Sequence, residues 1–189
     1  MPSSKPIQGV NDLETVNPAL AKEADGWDPK IILPHTNTKM PWECKKGHKY
    51  AATVNNRSNG KGCPYCANKK VLTGFNDLNT LFPELAKEAD GWDPNSILAG
   101  SNSRKPWKCQ TEGHTWETKI CHRTGEAESG CPYCCNKKLW IGFNDLKTRF
   151  PSIAKEADGW DPKEILASET KRKGWKCECG YEWSVSPHS

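Results

Sequence analysis

Apolar and polar positions follow the same order three times along this chain. In the first round, Gly9-Val-Asn-Asp-Leu is followed by Pro18-Ala-Leu-Ala-Lys-Glu-Ala-Asp-Gly. Leu20 and Ala24 fall on one face at helical spacing. A proline at the first position and a glycine just past the end are typical of a short helix, predicted here over 18–25, after an Asx-rich turn at Asn-Asp-Leu. The same pattern returns from Gly74 and from Gly142.

A Gly-Trp-Asp-Pro segment follows each predicted helix, with tryptophans at Trp27, Trp92 and Trp160. We expect these side chains to pack on their own repeat rather than form an exposed stacking surface, because a tryptophan buries much apolar area. A short apolar stretch and a polar loop come next. Residues 48–54 then alternate in a way that predicts a strand pair around a turn.

These rounds divide the chain into a disordered tail (1–8), repeat 1 (9–73), repeat 2 (74–141) and an incomplete repeat 3 (142–189). The distance from opening glycine to first cysteine is constant, from Gly9 to Cys44 and from Gly74 to Cys109. Repeat 2 is longer only between its cysteine and histidine positions. Insertions are tolerated in loops, so loops are predicted there.

Composition limits what such small units can do. The 189 residues are 35% hydrophobic, with a mean hydropathy of −0.82. Modules of this size bury little apolar core and usually need a metal or disulfide staple. No stretch approaches the ~20 apolar residues of a membrane span. No apolar run follows Met1, which predicts no secretory signal and a cytoplasmic, reducing location, where a disulfide framework is disfavoured.

The spacing of cysteine and histidine residues indicates that a metal supplies this cross-link. Each of the first two repeats offers three thiols and one imidazole in register: Cys44, His48, Cys63 and Cys66, then Cys109, His114, Cys131 and Cys134. Zn²⁺ prefers four tetrahedral N/S ligands, and thiolate-rich sets with all four positions filled by protein are structural. The sequence therefore predicts two full structural zinc sites.

The third repeat departs from this pattern. Cys177 and Cys179 are candidate ligands, but Tyr181 stands at the histidine position and no second cysteine pair follows. This half-built site either binds no metal or recruits His188 weakly. Two further cysteines, Cys121 and Cys135, lack ligand spacing and are predicted to be non-ligands.

A knuckle, a hairpin and a short helix beginning at the second cysteine pair make up the treble-clef arrangement. The recurring Trp-x-Cys-x(3–4)-His, the arginine and the Gly-Cys-Pro-x-Cys segment resemble the probable zinc-ribbon repeat family of prokaryotes and their viruses. That resemblance covers residues 9–186. It implies a small, zinc-stabilised α+β fold of tandem treble-clef fingers joined by short helices. Members of that family are taken to bind nucleic acid, and some are fused to nuclease-like domains.

Charge is unevenly distributed. Lys39 to Lys70 contains eight basic residues and one acidic residue, and Arg104 to Lys138 contains seven and four, whereas the helical segments are acidic. A basic face near aromatic residues is typical of phosphate contact. The expected contacts to nucleic acid, DNA rather than RNA, are Arg57, Lys69, Lys70, Arg123, Lys137 and Lys138.

Other interpretations of the charge stay open. The basic residues could form a solvated face that offsets the negative zinc centres, and the protein could be a protein-interaction scaffold with purely structural zinc. An enzyme is not expected, because both full sites close with four protein ligands and leave zinc no open position. A targeting part of a nuclease or defence-type assembly fits the resemblance. No small-molecule substrate and no membrane partner is predicted.

Overall fold

The computed structural model describes residues 5–125 and 129–187 and shows three versions of one small α+β unit. Residues 1–4 of the predicted tail 1–8, and His188, lie outside the described residues. The helices are α1 (Leu13–Val16), α2 (Pro18–Ala21), α3 (Val54–Ser58), α4 (Leu78–Leu81), α5 (Pro83–Ala86), α6 (Ile120–Thr124), α7 (Leu146–Arg149) and α8 (Pro151–Ala154), with 3₁₀ turns at Pro29–Ile31 and Pro94–Ser96. The strands are β1 (Lys39–Glu43), β2 (Lys49–Thr53), β3 (Arg104–Lys108), β4 (Thr115–Lys119), β5 (Lys173–Lys176) and β6 (Glu182–Val185).

The Asn-Asp-Leu segment of each repeat is the start of a helix rather than a free turn. Asp12 is fully buried and caps α1, where its carboxylate accepts from the Thr15 backbone N–H at 3.0 Å and from the Gly9 N–H at 2.6 Å. Gly9 has a positive φ of 77°, which glycine adopts without strain. Asp77 and Asp145 cap α4 and α7 in the same way.

The prediction of one helix over 18–25 is wrong in length. Helix α2 ends at Ala21, because the residues after it give their backbone groups to the hairpin. The Glu43 N–H donates to the Glu23 carbonyl at 2.9 Å, and Ala24 forms an antiparallel bridge with Trp42. A continuing helix would have used those groups internally. The equivalent bridges recur in repeats 2 and 3.

A two-stranded antiparallel hairpin carries the core of each repeat. Strand β1 pairs with β2, with Trp42 opposite Tyr50, and the Trp42 side chain is fully buried. The prediction of two strands within 48–54 is wrong, since that segment holds one strand and pairs with β1. Trp27 meets Trp42 edge to face, with ring centroids 5.0 Å apart, and donates from Nε1 to the Pro41 carbonyl. Its predicted packing on the repeat is confirmed.

The helix predicted at the second cysteine pair is also wrong. Residues there form successive turns, in which the Ala67 N–H donates to the Cys63 carbonyl and the Lys69 N–H donates to the Pro64 carbonyl. Asn68 has a φ of 49°, so the chain leaves helical geometry and turns back. The short helix of each complete repeat lies earlier instead, directly after the hairpin at α3 and α6.

The resulting architecture is a small α+β unit in which the ligand knuckle is the turn of the hairpin. Repeats 1 and 2 each have a separate apolar core, centred on Trp42 and on Trp107. Among the helices of the described residues, none has the length and apolar character needed to cross a membrane.

Candidate metal centres and the basic face

The first metal centre joins the hairpin turn to the turn that follows α3. The hairpin supplies Cys44 and His48, and the later turn supplies Cys63 and Cys66, with all four ligand atoms within 4.8 Å of one another. The Cys44 and Cys66 sulfurs lie 3.9 Å apart, and the His48 Nδ1 lies 3.7 Å from Cys63 Sγ and 3.3 Å from Cys66 Sγ.

The second centre repeats this geometry with one more residue in the knuckle. The Cys109 and Cys134 sulfurs are 3.8 Å apart, and His114 Nδ1 lies 3.6 Å from both Cys131 Sγ and Cys134 Sγ. His114 is only 4% exposed. The extra residue falls in the turn between β3 and β4, as the spacing predicted.

Backbone hydrogen bonds set each knuckle. The Cys44 N–H donates to the His48 carbonyl at 3.1 Å, and the Gly47 N–H donates to the Cys44 carbonyl at 2.7 Å. Gly47 has a φ of 79°, so the turn needs a residue that tolerates the left-handed region. The turn therefore places the cysteine and the histidine of each knuckle close to one another.

These donor sets fit zinc. A tetrahedron with Zn–S bonds of about 2.3 Å has edges of about 3.8 Å, which is close to the ligand–ligand distances in both clusters. Cys44, His48, Cys63 and Cys66 would hold one ion and Cys109, His114, Cys131 and Cys134 the other. When bound, zinc supplies a structural cross-link with no open position for chemistry.

Thiol pKa values within each cluster are split. Burial opposes ionisation of Cys44, but the N–H groups of Lys46 and His48 outweigh it and lower the pKa of that thiol. Burial, and then the neighbouring Cys44 and Cys63, raise the pKa of Cys66 to about 11. One thiol is thus prepared to bind as thiolate, while another keeps its proton until a cation compensates the charge.

Repeat 3 forms the same knuckle without a metal cluster. The Cys177 N–H donates to the Tyr181 carbonyl and the Gly180 N–H donates to the Cys177 carbonyl, as in the other knuckles. Cys177 and Cys179 are joined by a disulfide, and within residues 5–125 and 129–187 no third group of ligands converges. The prediction of Cys177 and Cys179 as metal ligands is therefore wrong for this structure. A disulfide-bonded sulfur has no thiolate to offer, and Tyr181 replaces the imidazole.

Arg57 and Arg123 do not lie on an exposed face. Their side chains are 7% and 5% exposed, and each forms an ion pair with a glutamate after α2 or α5, Glu23 and Glu88. The Arg123 guanidinium also stacks over Trp107, 4.7 Å from its ring centroid. Because these groups are buried and paired, the prediction that they contact phosphate does not fit the structure.

The four lysines after the second cysteine pairs are exposed: Lys69, Lys70, Lys137 and Lys138. Their backbone is fixed by the metal turn, since the Lys69 and Lys70 N–H groups both donate to the Pro64 carbonyl at 2.8 and 3.2 Å. Their contact with nucleic acid stays a prediction. Cys121 donates to Asn102 Oδ1 and Cys135 is exposed, and neither joins a ligand cluster.

Sequence reasoning missed two sets of supporting residues. Glu23 and Glu88 were assigned only to acidic helices, although they pair with the buried arginines. Phe75 and Asn76 contact the metal site of the preceding repeat. The recurrence of Gly-Phe-Asn-Asp-Leu directly after each metal turn was the available signal for the second set.

Paired Cys₃His clusters on knuckle-bearing hairpins define a tandem zinc-finger protein. Residues 20–69 and 81–137 match the family described as the probable treble clef zinc finger domain, and these matches cover more than half of the chain. The chain belongs to this family. No curated protein sequence gives a significant match to it.

Proposed function

We propose that this protein binds nucleic acid through the basic faces of its zinc-stabilised fingers, with DNA preferred over RNA. The supporting observation is a groove in repeat 1 between β2 and the metal turn, about 320 Å³ in volume. Four lysines line it, Lys39, Lys61, Lys69 and Lys70, and no acidic residue does. All four lysines are exposed.

A smaller groove occupies the equivalent place in repeat 2, with a volume of about 180 Å³. Lys137 and Lys138 line it together with Trp116, while Glu117 adds a negative charge. Repeat 1 therefore supplies the stronger phosphate-binding surface, and repeat 2 a weaker one. Two such grooves on one chain fit a polyanion long enough to span both, because each lysine acts as a point charge on a phosphate.

The test is the salt dependence of binding. Fluorescence anisotropy would compare zinc-loaded protein on duplex DNA, single-stranded DNA and RNA over a salt series. We expect log K to fall linearly with log salt, with a slope of about −0.9 per phosphate contacted on duplex DNA. Lys69→Glu with Lys70→Glu should reduce the steepness of that slope by the amount expected for about two phosphate contacts.

Lys22→Glu is the matched control, because Lys22 is an exposed lysine on the acidic helical side of the same repeat. It should leave the slope nearly unchanged. If no nucleic acid binds at low salt, or if Lys22→Glu weakens binding as much as the groove variants, the proposal is refuted. A best ligand other than duplex DNA would refute the preference for DNA alone.

A protein-interaction scaffold is the second candidate. It is favoured by apolar side chains that repeat 3 leaves exposed, Phe150 at 47% and Ile153 at 44%. Partner binding that persists at high salt would distinguish it, since contacts to phosphate weaken with salt. We further propose that the chain has no catalysis of its own. A role as the targeting part of a nuclease or defence-type assembly stays a prediction.

A further inference from the structure

Each ligand histidine packs against an aromatic side chain from the next repeat. The His48 ring lies edge to face with Phe75, with ring centroids 4.2 Å apart, and Lys46 of the same knuckle lies over the Phe75 ring. In the second centre, His114 meets Phe143 at 4.4 Å and Trp140 at 4.8 Å. One phenylalanine of the next repeat therefore packs on each ligand histidine, beside aromatic side chains of the histidine's own repeat.

A buried asparagine reaches back to the metal turn as well. Asn76 is 3% exposed, and its Nδ2 donates to the carbonyls of Tyr65 and Lys70, both at 3.0 Å. Tyr65 lies between the ligands Cys63 and Cys66, so this amide bonds to the ligand-bearing turn itself.

Repeat 2 and repeat 3 meet through the same bonds. Asn144 is also 3% exposed, and its Nδ2 donates to the Tyr133 carbonyl at 2.9 Å and to the Lys138 carbonyl at 2.8 Å. Its Oδ1 accepts from the Trp140 N–H at 2.7 Å. The neighbouring Asp145 caps α7, so the asparagine is anchored to the helix of its own repeat.

The first repeat contains a natural contrast. Val10 stands at the position of Phe75 and is 65% exposed, and no metal centre of the described residues lies against it. Asn11 stands at the position of Asn76. Its Oδ1 accepts from the Ile7 N–H, but its Nδ2 makes no hydrogen bond to the part of the chain that is described. The phenylalanine and the bonded amide occur where a metal turn precedes them.

We propose that each zinc centre is completed by the repeat that follows it. Phe75 and Asn76 are positioning residues of the first centre, and Phe143 and Asn144 are positioning residues of the second. The ring limits access of water and competing ligands to the imidazole side. The amide fixes the turn that carries the second cysteine pair. Repeat 3, which has no ligand cluster within the described residues, thereby stabilises the zinc centre of repeat 2.

The test is the reactivity of each cysteine pair in the zinc-loaded full chain. Pulse alkylation with isotopically distinct reagents, followed by mass spectrometry, reports Cys63 and Cys66 separately from Cys131 and Cys134. Loss of groups that support metal ligands costs about 10–100-fold in affinity. We expect Phe75→Ala to accelerate alkylation of the first pair about ten-fold and to leave the second pair unchanged. Phe143→Ala should do the reverse.

Asn76→Asp removes the amide donor and also places a carboxylate at this buried position. The aspartate keeps an acceptor for the Leu72 N–H, which now bonds to Asn76 Oδ1 at 2.7 Å, but has no donor for the two carbonyls. This substitution should also accelerate alkylation of the first pair about ten-fold. Val10→Ala and Asn11→Asp are the matched controls and should change neither pair. Phe75→Leu retains apolar volume and replaces the alanine variant if that variant fails to fold. We then expect a smaller acceleration of alkylation of the first pair.

Two outcomes would overturn the proposal. If Phe75→Ala and Asn76→Asp leave the first pair as protected as in the parent protein, the contacts across repeats do not support the metal. If alkylation of both cysteine pairs accelerates equally, the substitutions have destabilised the whole chain, and the effect is not specific to one centre.

Discussion

Repeats 1 and 2 differ from repeat 3 in their second half, whereas their first halves are the same. Repeat 3 keeps the capped helix pair, the β5–β6 hairpin and the contact between Trp160 and Trp175, whose ring centroids are 5.1 Å apart. It has neither a ligand cluster nor a buried arginine among the described residues. In repeat 3 the first half keeps this arrangement without either feature. In repeats 1 and 2, metal and arginine link the hairpin and the helix pair to the segment that follows.

Metal removal should produce the largest difference between repeats 1 and 2 on one side and repeat 3 on the other. Chelation removes from each centre a binding free energy on the order of 10–16 kcal/mol, the scale known for finger peptides. We expect repeats 1 and 2 to unfold, while the Trp160 and Trp175 indole resonances of repeat 3 change least. The measurement is indole N–H dispersion by NMR during titration with a chelator. Native Trp42 and Trp107 resonances in metal-free protein would contradict it.

Acid should weaken both metal centres. Because the pKa of Cys66 is raised to about 11 and that of Cys134 to about 12, zinc binding must displace protons from these thiols. Lowering the pH increases that competition, so zinc affinity falls as pH falls. Competition against a chromophoric chelator across the pH range checks the sign. An affinity that stays constant between neutral and mildly acidic pH would contradict this reasoning.

The buried arginine gives the next largest expected effect. Arg123→Ala leaves Glu88 without its partner and removes the guanidinium from the Trp107 ring. Breaking a buried pair from one side costs roughly 3–5 kcal/mol. The free energy of unfolding, measured by urea denaturation with zinc present, should fall by about that amount.

Glu156 provides the control, because it aligns with Glu88 but forms no ion pair within the described residues. Glu156→Ala should change the free energy of unfolding by less than about 0.5 kcal/mol. Equal losses for Arg123→Ala and Glu156→Ala would show that the arginine pair does not distinguish complete repeats from repeat 3.

Removing an aspartate N-cap should lower the free energy of unfolding by less than the arginine substitution does. The decrease should be the same in every repeat. Asp77→Ala and Asp145→Ala each remove an N-cap, which is worth about 1 kcal/mol. Burial disfavours the Asp77 carboxylate, yet hydrogen bonds from Thr80 and Gly74 outweigh it and lower its pKa. Its stabilisation is therefore present above the ordinary carboxyl range and is lost as the pH falls through the lowered pKa. Thermal melts from neutral to acidic pH check both amount and sign, and a cap effect confined to repeat 2 would contradict it.

The two metal centres could be predicted from the sequence because ligand spacing is a local property. Cys44 and His48 occupy one hairpin turn, and Cys63 and Cys66 occupy one later turn. The fold class followed from the same order of elements. Both cluster geometries agree with those predictions.

Predictions that depended on tertiary contacts were wrong. The helix predicted over 18–25 stops at Ala21 because Glu23 and Ala24 bond to the hairpin, which periodicity does not reveal. Arg57 was assigned to a phosphate face because charge counts ignore burial, whereas Glu23 pairs with it from a segment distant in sequence. Contacts made by Asn76 across the repeat boundary were invisible for the same reason.

The smallest expected effect concerns the cysteines of repeat 3. Cys177→Ser with Cys179→Ser removes the disulfide. Because its cysteines are only two positions apart in sequence, the disulfide restricts the unfolded chain little, and its loss changes the chain entropy little. The knuckle itself is held by backbone bonds from Cys177 and Gly180, which serine preserves. Zinc content by elemental analysis should stay at two ions per chain, the number of ligand clusters within the described residues, and the melting temperature should stay nearly unchanged. A parent protein with more than two ions, reduced to two by the double substitution, would show that the third knuckle binds metal when its thiols are reduced.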